Sequence, residues 1–272
     1  MPELPEVETT RAGLEPHLIG HRIAQIESRV AKLRQAVDKQ ALQQLIARQF
    51  TAIRRRGKYL IIDSDKADTS LLIHLGMSGS LRIVPLTAPR KTHDHILITL
   101  DNTQQLRFHD PRRFGSFAVI DPRQTPPQLA RLGPEPLSQD FTGDYFYQSS
   151  RKRRSAVKTH LMNQETVVGV GNIYASEALF LARIHPNRPA NSISPSEAER
   201  LVQQVKAELQ RAIALGGTTL RDFVQPDGTN GYFQQSLNVY GRAGEACPNC
   251  AAVIEKQSIG QRNSFFCPHC QR

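Results

Sequence analysis

The chain has 272 residues, 39% of them hydrophobic, and a formal net charge of +10. That length suits two or three domains with sizeable cores, and no apolar run approaches a membrane span. The charge surplus points to a polyanionic partner, nucleic acid before an anionic membrane, because no strongly amphipathic basic helix is visible. The acidic N-terminus lacks the basic start and apolar centre of a secretory signal, so a cytoplasmic, nucleoid-associated protein is expected.

In chain order, residues 5–18 read as a helix with Val7, Leu14 and Leu18 inward, and a second is expected over about 38–49, with Leu42, Leu45 and Ile46 on one stripe. From Phe50 to Ile120 short β segments follow: Tyr59–Ile62, Leu71–Ile73, Leu81–Val84, Ile96–Leu100 and, after a hairpin at Asp101-Asn102, Gln105–Phe108. This meander predicts an antiparallel sandwich or barrel. Pro122, Pro126, Pro127, Pro134 and Pro136 mark a linker. Ile173–Ala182 and Ser196–Leu215 read as helices, the latter ended by Gly216-Gly217, and Thr218–Gly244 is a polar, glycine-rich loop long enough to act as a lid. The expected division is 1–121, a linker over 122–140, 141–236 with a lid loop at about 217–236, and 237–272. No internal repeat is present.

All four cysteines fall at the C-terminus, as Cys247-Pro-Asn-Cys250 and Cys267-Pro-His-Cys270. Two such pairs at this separation fit a four-thiolate zinc ribbon, and reducing cytosol opposes the alternative of disulfides. His269 is not needed as a ligand.

At the other end, Pro2 becomes a free secondary amine once Met1 is removed. An α-amino group titrates near roughly 7.7–8.0 and is partly nucleophilic in the cell. Attack on an aldehyde carbon gives a permanently cationic iminium, an electron sink at any pH. Glu3 and Glu6 stand beside it as proton carriers. The plainer reading is that Pro5 opens a helix and the acids complement its dipole. Two basic runs, Arg54–Lys58 and Arg151–Arg154 with Lys158 beyond, are ordinarily solvated faces, but a duplex touching both would bind with strong salt dependence. In His109–Gly115 an arginine beside an aromatic on a tight turn can wedge into a base stack. Met77 lies in the turn Gly76-Met77-Ser78-Gly79, where packing is the commoner role. His93 and His95 flank Asp94, one suited to a phosphate and the other to structure. Gly169-Val170-Gly171-Asn172 precedes a helix, with Asn172 the expected cap and a backbone open to an anion.

Met1–Glu8, Gly57-Lys58-Tyr59, His74–Gly79, Asp110–Gly115, Gly169–Ala175 and the C-terminal ribbon, in this order, resemble the bacterial formamidopyrimidine-DNA glycosylases, which excise oxidised purines such as 8-oxoguanine. The resemblance implies an α+β multidomain protein: an N-terminal antiparallel β-sandwich, a helix–two-turns–helix domain and a zinc ribbon holding one structural ion, with damaged double-stranded DNA in the cleft. It implies a monomer without membrane attachment. It assigns Pro2 as the nucleophile at C1′, Glu3 as proton donor or shuttle, Lys58 to the β-elimination, and Arg262 to a phosphate and the δ-elimination. It makes His93, Arg112, Arg153, Lys158 and Asn172 DNA contacts, and has Met77, Arg112 and Phe114 fill the gap left by an extruded base.

A sister type of the same fold, the endonuclease VIII type, favours oxidised pyrimidines. Leu4, where that type usually carries glycine, and the Met77/Arg112/Phe114 set argue against it. A zinc-dependent DNA-binding regulator explains the charge and the ribbon but leaves Pro2, Glu3 and Lys58 idle.

Overall fold

A computed structural model of the chain describes residues 2–217 and 237–272. They form two compact units, one of residues 2–130 with 215–217 and one of residues 131–214 with 237–272.

The first unit begins with helix α1 (Leu4–Leu18), whose N-cap Glu3 and N3 residue Glu6 form a capping box, the Glu3 backbone N–H donating to Glu6 Oε2 at 2.7 Å. Val7, Leu14 and Leu18 lie on one face and are fully buried. On the outer face the Glu8 carboxylate accepts from Arg11 (2.7 Å) and from Arg55 (2.8 Å), which ties the helix to a strand of the sheet below.

Strand β1 (Ile23–Ser28) precedes α2 (Lys39–Gln43), capped by Asp38, which accepts the Ala41 N–H at 2.9 Å. The helix expected over about 38–49 therefore stops early. Its second half is claimed by tertiary backbone bonds: Ala47 donates to Ile23 O, Ile23 to Arg48 O, and Phe50 to His21 O. Ala47 turns left-handed at φ 65°, yet Leu42 and Leu45 still reach the core.

The remaining strands are β2 (Phe50–Arg56), β3 (Tyr59–Ser64), β4 (Ser70–His74), β5 (Ser80–Pro85), β6 (Asp94–Leu100), β7 (Gln104–His109) and β8 (Ser116–Ile120). They pair antiparallel in two four-stranded sheets, ordered β1-β6-β7-β5 and β2-β3-β4-β8. A sandwich is confirmed, but it is not a simple meander, because the chain changes sheet between β1 and β2, between β4 and β5 and again between β7 and β8. Inward residues of both sheets, among them Leu60, Ile62, Leu71, Ile73, Ile96, Ile98 and Leu106, share one core with α1. Phe108 and Phe117 meet across it with ring centroids 5.8 Å apart. A short helix α3 (Pro127–Ala130) ends this unit within the proline-rich stretch.

The second unit carries α4 (Gly143–Ser150), α5 (Val157–Leu161), α6 (Asn172–Leu181) and α7 (Pro195–Ala214), then the hairpin β9 (Glu255–Ile259) and β10 (Arg262–Phe266). Thr142 caps α4 by accepting the Tyr145 N–H. Residue 143 must be glycine, since a Cβ there would stand 2.6 Å from Glu199 Cα on α7. Two turns over residues 162–171 join α5 to α6. The Glu177 carboxylate on α6, fully buried, accepts the backbone N–H groups of Asn238, Val239 and Tyr240 and the Asn238 amide, all at 2.8–2.9 Å. Of the expected lid, residues 218–236 lie outside the described residues; residues 237–244 form turns beginning at this Glu177 anchor. No described helix is long and apolar enough to cross a membrane.

Candidate active site and nucleic-acid interface

The N-terminal residues are built in, not trailing. Pro2 is buried, Glu3 is 2% exposed, and both precede a helix packed on β2 and β3. The plainer reading of the acids holds: both carboxylates serve the capping box, Glu3 accepting the Glu6 backbone N–H and Glu6 the Glu3 N–H, and Glu3 also stands next to Pro2. Gly217, at φ 78°, approaches from the other side, and a Cβ there would stand 3.2 Å from Glu6 Oε1.

Lys58 is 8% exposed in the two-residue turn joining β2 to β3, which Gly57 permits by taking φ 56°. Its charge falls on His74, directly across the β3–β4 pair from Tyr59. Burial, reinforced by Lys58 and Arg34, lowers the His74 imidazole to about 4, so it is neutral at pH 7. Its Nδ1 accepts the Gly76 N–H at 3.0 Å, which leaves the proton on Nε2.

Two of the three places where the chain changes sheet are the turns 75–79 and 110–115. Because His74 pairs with Ser116 and Ser80 with His109, these turns are held side by side. Gly76, at φ 67°, touches the Gly115 N–H and the Phe114 carbonyl carbon so closely that no Cβ fits. A Cβ on Gly115 would stand 2.6 Å from the Phe108 ring and 2.8 Å from His74 O. Two glycines thus let the corners interlock, and the predicted Met77, Arg112 and Phe114 come together. Phe114 is 47% exposed, an unusual position for so large an apolar ring, and the Arg112 guanidinium lies 4.9 Å over it. Arg34, His74, Gly76, Met77 and Phe114 line a pocket of about 210 Å³. Arg113 is held left-handed at φ 55°, which costs a non-glycine residue about 1 kcal/mol.

His93 is half-buried near His95 and His109, their ring centroids 6.0 and 5.9 Å away. His95 is the structural member, its Nε2 bonding to Asp110 O at 2.9 Å. Sequence reasoning assigned nothing to Asp94, which is fully buried. Burial pushes its carboxyl up, but the Lys91 N–H, Arg82 and His109 outweigh that and hold it below the usual range.

The basic runs are partly spent on the protein itself. Arg54 pairs with Asp63 through two bonds and Arg55 with Glu8. Arg151 lies 3.9 Å over the Tyr147 ring and donates to Asn191 O and Ile193 O. Lys152, Arg153 and Arg154 stay exposed.

In the second unit a pocket of about 380 Å³ joins three predicted residues, Arg153, Lys158 and Arg262, with His160 and Asn163 beside them. Arg153 and Arg262 are exposed, whereas Lys158 is 1% exposed and donates to Ser264 Oγ at 2.7 Å. Asn172 is not the expected cap: Gly171 occupies that position. The Asn172 amide instead donates to Asn263 O at 2.9 Å, so helix and ribbon share a seam; its Oδ1 is buried with no partner among the described residues. Burial and the charge of Arg153 lower His160 to about 4. That neutral ring bonds Ser149 Oγ at 2.9 Å.

The four cysteine Sγ atoms lie within 4.8 Å of one another. Sγ–Sγ distances of 3.5 Å (Cys250–Cys267) and 3.9 Å (Cys247–Cys270) exclude disulfides, and match the edge of about 3.8 Å expected for a tetrahedron with Zn–S near 2.3 Å. Backbone N–H groups of Asn249 and Cys270 point at Cys247 and Cys267 Sγ, as they do around thiolates. The donor set fits one structural Zn²⁺, with no open position for chemistry.

Family models match three stretches: the formamidopyrimidine-DNA glycosylase N-terminal domain over residues 1–117, its H2TH domain over 132–224, and the zinc finger found in FPG and IleRS over 244–272. Formamidopyrimidine-DNA glycosylases of Dichelobacter nodosus and Stenotrophomonas maltophilia are 52% and 53% identical to it, each over the whole of both chains. A Lactococcus lactis FPG variant in complex with DNA containing Fapy-dG superposes with a TM-score of 0.93 at 38% identity, covering all of both chains. The Lactococcus lactis Fpg with abasic-site DNA does so at 0.92 and 37%, covering 99% of each. Sandwich, helix–two-turns–helix unit and four-cysteine ribbon together define a DNA repair glycosylase. The chain belongs to the formamidopyrimidine-DNA glycosylase family, enzymes with glycosylase and abasic-site lyase activity.

Proposed function

We propose that the protein excises oxidised purines, 8-oxoguanine and formamidopyrimidines, from duplex DNA through a covalent bond to Pro2, and then cuts the strand by β,δ-elimination. The observation that carries this reading is the burial of Pro2 and Glu3 at the capped start of α1, because chain ends are ordinarily frayed unless tied down. With Met1 removed, the Pro2 nitrogen attacks C1′ of the damaged nucleotide. The glycosidic bond breaks and the base leaves with a proton supplied through Glu3. The C1′–O4′ bond of the sugar then opens, its oxygen taking a proton, and C1′ becomes doubly bonded to the proline nitrogen. The resulting iminium acidifies the 2′ proton; loss of that proton expels the 3′ phosphate, with Lys58 assisting. A second elimination expels the 5′ phosphate, with Arg262 assisting, and hydrolysis frees the amine.

His93, Arg112, Arg153, Lys158 and Asn172 are the DNA contacts of this reading. Met77, Arg112 and Phe114 fill the place of the extruded base, since C1′ is inaccessible while the base is stacked. The enzyme acts as a monomer, in the cytoplasm at the nucleoid. Borohydride capture on damaged duplex tests it: the crosslink is expected on the N-terminal peptide, and a crosslink at a lysine, or none, refutes it. Faster release of thymine glycol than of 8-oxoguanine would reassign the substrate class.

A further inference from the structure

We infer that Asp110, acting with Ser78, is the positioning residue that locks the base-displacing wedge into a single rigid body. The assignment rests on the glycosylase reading above, but it draws on bonds that reading does not use.

Asp110 has no exposed surface, and its polar groups together bond three segments. Its backbone N–H donates to His93 O, at the head of β6. Its carbonyl oxygen accepts the His95 Nε2–H at 2.9 Å and the Arg113 N–H at 3.2 Å. Carboxylate Oδ1 accepts the Ser78 hydroxyl at 2.7 Å, and Oδ2 accepts the Gly115 N–H at 2.8 Å. The Ser78 oxygen in turn accepts the Arg112 N–H at 3.2 Å.

Three segments converge on this one residue, and each carries a proposed DNA contact: His93 on the first, Met77 on the second, Arg112 and Phe114 on the third. Two of them are turns that pass between sheets, so the strand ladders end where they begin. In their place the Asp110 carboxylate supplies the link, with bonds to a charged acceptor, the stronger kind. Its backbone carbonyl also holds Arg113 in a left-handed conformation that the residue would not otherwise favour. A wedge that must displace a stacked base needs its tip fixed before contact, since looseness of about 1 Å in a supporting shell is enough to spoil a site. Met77, Arg112 and Phe114 touch the DNA in this scheme; Asp110 and Ser78 act through them.

The test uses Ser78→Ala, which deletes one hydroxyl, together with Asp110→Asn, which puts an amide donor against either the Ser78 hydroxyl or the Gly115 N–H. For both variants kcat for release of 8-oxoguanine should fall at least tenfold, with KM for the duplex changing less than threefold. Nicking at a pre-formed abasic site should stay within threefold of wild type, because no base remains to be displaced. Ser78→Ala should slow the Met77→Ala enzyme by a smaller factor than it slows the wild type, because part of what Ser78 positions is already gone. Equal losses of excision and abasic nicking would reduce Asp110 to a general stabiliser, and wild-type excision by Ser78→Ala, or multiplicative losses in the double variant, would remove the assignment. Borohydride capture by the wild-type chain on abasic DNA separates the two claims. Its absence sinks the covalent chemistry itself, whereas capture with undiminished excision by Ser78→Ala sinks only the positioning role.

Discussion

Glu208 on α7 is a carboxyl in the wrong place for an ion. Its side chain is 3% exposed, and its Oε1 has no partner among the described residues. Burial, and then the nearby Glu177 carboxylate, push it from the ordinary 4.5 up to about 7, with Arg211 opposing only in part. A folded-state value above the unfolded one means that the native chain holds a proton the unfolded chain has released. This contribution to stability is therefore complete below about 4.5 and is lost as pH rises toward and through 7. At about 1.4 kcal/mol per pH unit, the rise amounts to about 3 kcal/mol. Glu208→Gln replaces the protonated acid by a neutral amide of nearly the same shape that cannot ionise. Urea unfolding, followed by the helical circular dichroism signal at pH 5, 6.5 and 8, should find the two proteins within about 1 kcal/mol at pH 5 and the variant ahead by about 2–3 kcal/mol at pH 8. Parallel stability curves for the two would refute this account, and would mean that water or the residues around Arg211 neutralise the carboxylate.

Two further substitutions probe the parts that present the proposed DNA contacts. Cys267→Ser should abolish stoichiometric zinc and, by disordering the strand that offers Ser264 and Asn263 to Lys158 and Asn172, lower DNA affinity at least tenfold; metal analysis and a binding titration check both, and unchanged values in both count against the ribbon's role. Gly76→Ala forces a side chain into a left-handed residue and against the Gly115 backbone, so it should destabilise the first unit by roughly 2 kcal/mol or more and slow excision more than tenfold, as read by urea unfolding and single-turnover base release.

Much of this was legible in the sequence where one residue type admits one explanation. Four cysteines in two close pairs leave little but a metal ribbon. Val7, Leu14 and Leu18 repeat at helical spacing and lie on one buried face of α1. Where backbone partners come from far along the chain, local pattern failed: the stripe Leu42, Leu45 and Ile46 predicted a longer helix because nothing nearby shows that Ala47–Phe50 will pair with His21–Ile23. The strand order failed for the same reason, since alternation of apolar residues marks a strand without naming its neighbour. Asn172 resembled a cap, but its amide is drawn to Asn263 in the ribbon. Lys158 belonged to a basic run, yet its ammonium is buried on Ser264. Asp110 and Ser78 stood inside recognised motifs, but sequence cannot show that a carboxylate and a hydroxyl thirty-two residues apart face each other. Glu177 and Glu208 gave no signal at all, being single acids on helices.

The N-terminus shows how packing and chemistry depend on each other. In the proposed chemistry an amine attacks one carbon atom, a task poorly served by a chain end that samples many positions, and holding a reacting group in place is worth several kcal/mol of barrier. Here the end is fixed from three directions. Val7, Leu14 and Leu18 anchor the helix in the sandwich core, Glu8 fastens it sideways to Arg55, and the capping box of Glu3 and Glu6 closes its first turn. Both acids are engaged in that turn, the Glu6 carboxylate holding the Glu3 N–H and the Glu3 carboxylate the Glu6 backbone N–H. Glu3 is the acid beside Pro2 that this box places at the cap. Under the proposed chemistry, the Glu3 carboxylate that closes the first turn is also the group that passes the proton, so cap and proton donor are one side chain.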